Sequence, residues 1–126
     1  MRKLVIFLTL ALFMLGGCST EKNASDEVPA LLEVAINVPN VTQMNENMVI
    51  EAEVTQGEEK VEDANEVKFE IKKVGQETSE EVIGKHQGNG IYSIIKSFPE
   101  AGDYSVTAHV TARSMHNMPT KNFKVE

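Results

Sequence analysis

The chain has 126 residues, 12 basic against 19 acidic, and a formal net charge of −7. That sign argues against a nucleic-acid partner and against adhesion to anionic lipid through charge. With Cys18 as its one cysteine and no tryptophan, the chain has no disulfide or thiolate cluster to build on, so a folded domain must stand on apolar packing.

Arg2 and Lys3 open the sequence with positive charge, and Leu4 to Leu15 are apolar apart from Thr9. A helix needs roughly 20 apolar residues to span a hydrocarbon core, so this run has the length of a signal-peptide core instead. Leu15-Gly16-Gly17-Cys18 resembles the lipobox of bacterial lipoproteins, in which the cysteine is acylated and becomes the mature N-terminus. A plain secretory signal with a stray cysteine is the other reading. Residues 1–17 are therefore expected to be a lipoprotein signal peptide and Cys18 the lipidated residue. Each buried lipid methylene contributes ~0.8 kcal/mol, so two or three acyl chains hold a protein where one is marginal. Loss of Arg2 and Lys3 with the leader takes the net charge from −7 to −9. Residues 18–29 are small and polar and read as a flexible tether, with residues 30–126 as one domain. The expected location is extracytoplasmic, on the outer face of the bacterial cell membrane.

From residue 31 the hydrophobic pattern has period 2, the mark of strands. Leu32, Val34, Ile36 and Val38 alternate with polar or small residues until Pro39-Asn40. Met48, Ile50, Ala52 and Val54 form the next run, and Val67, Phe69 and Ile71 the third. The acidic stretch from Glu58 to Glu66 between them reads as a solvated loop into which Val61 and Ala64 dip. Glu81 to Gln87 is a weaker strand, and Gly88-Asn89-Gly90 is a tight-turn signal before a strand over Ile91 to Phe98. Tyr104, Val106, Ala108 and Val110 define an inward face, and Phe123 and Val125 mark a last strand. Seven short antiparallel strands predict an all-β sandwich of immunoglobulin type, with a small barrel as the alternative. Gly102-Asp103-Tyr104 is placed as a tyrosine corner, and Phe69 stands where such folds carry a buried tryptophan.

No His-Glu-x-x-His, Gly-x-Ser-x-Gly or phosphate-cradling loop is present, so the chain does not read as an enzyme and no small-molecule substrate is evident. The unusual segment runs from His109 to Pro119 and holds His109, Met115, His116 and Met118. Imidazole and thioether together suit copper, since the soft sulfur prefers Cu(I) and imidazole accepts either oxidation state. The candidate ligands are His109, His116 and Met118, with His86 or Met115 completing the set and Met44 and Met48 as more distant possibilities. A partner-binding surface and caps over the edge of the core are the alternative readings of the same residues, after metal binding. His109 points away from the inward set, and Met118 shares its face if Phe123 and Val125 point in.

Val54-Thr55-Gln56-Gly57, Val67-Lys68-Phe69-Glu70, Gly90-Ile91-Tyr92, Gly102-Asp103-Tyr104 and above all His109-Val110-Thr111-Ala112-Arg113 with Met115-His116-Asn117-Met118-Pro119 resemble the YtkA-like domain of Gram-positive lipoproteins, more distantly FixH. The resemblance covers residues 31–126. It implies a small extracytoplasmic sandwich associated with respiratory oxidases and copper-site assembly, in which His86, His109, His116 and Met118 match the family pattern. His116-x-Met118 also resembles the end of the motif of PCuAC-type periplasmic copper chaperones, but the methionine that motif needs upstream falls on Ile94. Two functions follow as expectations. One is a membrane-anchored copper-binding accessory protein for an oxidase or another copper protein. The other is a metal-free interaction module at the membrane surface.

Overall fold

The computed structural model describes residues 30–126; the leader, Cys18 and the tether lie outside the described residues. Eleven strands and no helix occur among them. They are β1 (Leu32–Asn37), β2 (Val41–Thr42), β3 (Met48–Gln56), β4 (Glu59–Lys60), β5 (Glu66–Lys73), β6 (Glu80–Ile83), β7 (Lys85–Gly88), β8 (Ile91–Lys96), β9 (Gly102–Ala112), β10 (Met115–Asn117) and β11 (Thr120–Val125). One sheet has the order β1-β3-β8-β7, with β4 paired to β3. The other has the order β2-β11-β9-β5-β6, with β10 paired to β9. The two sheets stack as a sandwich and do not close into a barrel.

Six of the seven expected strands are present as single strands and the seventh is divided, and the added strands β2, β4 and β10 come from short pairings that carry no periodicity of their own. Expected antiparallel throughout, the sandwich has one parallel pair, β2 beside β11. The expected strand over Glu81 to Gln87 is two strands, because the chain leaves the second sheet as β6 and enters the first as β7. Gly84 sits at that crossing and donates its N–H to Val67. A Cβ there would lie 2.8 Å from the Phe69 ring, so only glycine lets the backbone pass so close to the core.

Alternation places the core. Ile50, Ala52 and Val54 of β3 and Tyr92 and Ile94 of β8 face Val67, Phe69 and Ile71 of β5, Val106, Ala108 and Val110 of β9, and Phe123 and Val125 of β11. Phe69 is fully buried at the centre. Tyr104 is buried, packs on Phe98 and Phe123, and donates its hydroxyl to the Glu100 carbonyl at 2.9 Å, as a corner tyrosine does. The acidic loop is pinned from beneath: Val61 is buried, its carbonyl accepts from Tyr92 Oη at 3.0 Å, and Tyr92 Oη accepts from Ala64 N–H at 3.2 Å.

Candidate functional site

Because Tyr104, Val106, Ala108, Val110 and Ala112 of β9 point into the core, Ser105, Thr107, His109 and Thr111 point out. The chain then reverses in two residues, Arg113 and Ser114, whose φ angles are 54° and 66°. A two-residue turn with both centres left-handed matches strand twist but strains side chains other than glycine. Arg113 ties this turn to the first sheet. Its guanidinium donates to Glu59 at 2.7 Å, to Gln56 at 2.9 Å and to Asp63 at 3.2 Å.

The turn sets the register. Met115 stands opposite Ala112, His116 opposite Thr111 and Asn117 opposite Val110. Pro119 has no N–H to give the ladder, yet its carbonyl still accepts from Ala108 at 3.0 Å. Beyond it Thr120 faces Thr107 in the same register, so Met118 stands across from His109. His116, Met118 and Thr120 thus share the outward face with Thr111, His109 and Thr107. The His109 and His116 rings lie on the diagonal, 6.2 Å between centroids at 43°. Met118 is 54% exposed.

Each imidazole is held on one side. His109 Nε2 lies 2.8 Å from Glu70 Oε1, and Ser79 Oγ donates to Glu70 Oε2 at 2.8 Å. His116 Nδ1 lies 3.0 Å from Thr111 Oγ1. The hydrogen bond from His109, then that from Ser79, holds the Glu70 carboxyl below its ordinary value. Glu70, Ser79 and Thr111 escape a reading of the sequence. Glu70 looks like one more solvated charge in the alternation Lys68-Glu70-Lys72, and its partner depends on the register between β5 and β9.

The structure brings His109, His116 and Met118 to one face and leaves the remaining candidates elsewhere. His86 belongs to the other sheet, where its ring stacks on Tyr92 with centroids 4.7 Å apart and Nε2 is 3.7 Å from Glu62. Met115 lies on the inward face and packs against the core. Met48 is in the core, and Met44 is bonded through its N–H to Glu126 at the opposite end of the sandwich. Among the described residues no three His, Cys, Asp or Glu side chains converge, and the third soft donor on the His109 face is a thioether.

The YtkA-like family model matches residues 26–109, two thirds of the chain, and the chain belongs to that family. The match ends at His109, so β10 and β11 lie beyond it. No curated protein matches the sequence. Among solved structures the fold is similar to an engineered protein (TM-score 0.60, 16% identity, 79% of this chain), of which it spans only 20%. It is also similar to the soluble domain of PmoD from Methylocystis sp. (TM-score 0.51, 11% identity, 77% of this chain and 92% of that one). A third likeness is to superoxide reductase (neelaredoxin) from Ignicoccus hospitalis (TM-score 0.52, 10% identity, 83% and 87%). At these identities the likeness concerns the fold alone.

Proposed function

We propose that this YtkA-like protein is a membrane-anchored extracytoplasmic lipoprotein that binds one Cu(I) through His109, His116 and Met118 and serves a membrane oxidase or another copper protein. It is an accessory protein and not an enzyme. The observation that carries the reading is the 6.2 Å between the two imidazole centroids beside an exposed thioether. A histidine nitrogen sits ~2 Å from a bound ion and ~1 Å from its own ring centre, so two rings sharing an ion have centres at most ~6 Å apart and about 5 Å apart when a third ligand bends the angle, and the rings here stand at the edge of that reach. Two imidazoles and one soft sulfur suit Cu(I), whereas a structural zinc site closes with four ligands. His86 and Met115, away from this face, are not part of the proposed set.

The metal-free interaction module is the second reading. It is favoured by exposed apolar residues on the outer face of the first sheet, where Val49 pairs with Ile95. Competition of the purified protein against a chromophoric Cu(I) chelator separates the two. Under the copper reading, His116→Ala and Met118→Leu each weaken affinity by roughly tenfold or more with little change in melting, and His86→Ala leaves affinity as it was. Wild type that cannot compete at all, or variants that alter melting and not affinity, leaves the module reading in place.

A further inference from the structure

An ionised carboxylate has no hydrogen to donate, so the contact between Glu70 Oε1 and His109 Nε2 decides which ring nitrogen carries the proton. In the neutral ring Nε2–H donates, and Nδ1 keeps its lone pair. Glu70 is not free to swing away, since its second oxygen accepts from Ser79 Oγ and its backbone lies in β5 between β6 and β9. His116 is held the other way round. Thr111 Oγ1 occupies its Nδ1 and leaves Nε2 outermost.

We infer that Glu70, braced by Ser79, is a positioning residue that presents Nδ1 of His109 to a metal ion, while Thr111 presents Nε2 of His116. The inference deepens the copper reading above and rests on it for the ion and for the two histidines as ligands. Nδ1 adjoins the carbon that carries the side chain, so an ion bound there lies low over β9. Nε2 is at the far end of its ring, so His116 reaches the same ion from β10 across the strand pair. Two rings on a diagonal, 6.2 Å between centroids, would then hold an ion between a near nitrogen and a far one.

The test begins without metal. In the purified full chain, isotope-labelled at histidine and held in detergent micelles, nuclear magnetic resonance should show a His109 Nε2 proton sheltered from exchange with water and an unprotonated Nδ1. Glu70→Gln substitutes an amide that donates as well as accepts, so the shelter and the single tautomer should be lost. Ser79→Ala, a change in an exposed turn that leaves the core alone, should speed exchange of the same proton. With Cu(I) under chelator competition, Glu70→Gln should lower affinity roughly tenfold. A His109 protonated on Nδ1 in wild type, or an Nε2 proton unaffected by both substitutions, overturns the proposal. If wild type binds no Cu(I) while the His109 proton still responds to Glu70, the copper reading falls and the hold of Glu70 on the ring stands.

Discussion

Arg113 adopts a left-handed backbone that its side chain disfavours, and three groups of the first sheet's rim meet its guanidinium there. The acid among them in closest contact is Glu59, whose carboxyl is held below its ordinary 4.5 first by the hydrogen bond from Arg113 and then by its charge. A carboxyl with a depressed folded pKa stabilises the fold above its unfolded value and loses that contribution as pH falls through the folded value. Glu59→Gln should therefore melt below wild type near neutral pH, with the gap closing as the pH drops under 4.5. Because the pair is exposed, the gap should be small and should shrink in high salt. Thermal melts of both proteins across pH check this, and a gap that persists in acid would assign Glu59 a role other than charge.

Among the elements, the long strands were legible in the sequence because each buries one face and alternation has no other cause. The tyrosine corner and the inward set of β9 were legible for the same reason, and so was the shared outward face of His109 and Met118. The split between β6 and β7 was not. Glu81 to Gln87 alternates weakly, and only the crowding of Gly84 against Phe69 reveals that the chain changes sheets there. Glu70 stayed hidden because register decides which strand neighbours face one another, and register is a tertiary property. The turn after β9 takes only Arg113 and Ser114 and leaves His116 inside a strand. Gly84→Ala tests the crossing directly. A methyl group 2.8 Å from the Phe69 ring overfills the core, and the expected loss is about 2 kcal/mol in denaturant unfolding. Copper affinity should be unaffected, because the outward face of β9 is on the side of its sheet that faces away from that core.

For the whole molecule, the anchor and the site belong to one proposal but fail separately. Cys18→Ala should block processing or release the protein from membranes, while the Cu(I) affinity of the purified chain stays as it was. A Cys18→Ala protein still recovered in the membrane fraction, from cells whose wild type carries no lipid mass, would remove the anchor and leave the site untouched. The geometry of entry links the two. Gln56 Nε2 donates to the carbonyl of Ala30, Gln56 Oε1 accepts from Arg113, and Asn117 Nδ2 donates to the carbonyl of Leu32. The chain thus enters the sandwich at the end where β9 turns into β10, and His109 lies only three residues back from Ala112, ~10 Å along the strand. With the proposed anchor at Cys18, the dozen residues to Ala30 span at most ~40 Å. The His–Met face is then leashed within a thin shell above the bilayer, so meeting a membrane-embedded recipient becomes a lateral search at nearly constant height. Doubling the leash with glycine and serine would dilute the face through a deeper volume and slow that delivery without altering a single ligand.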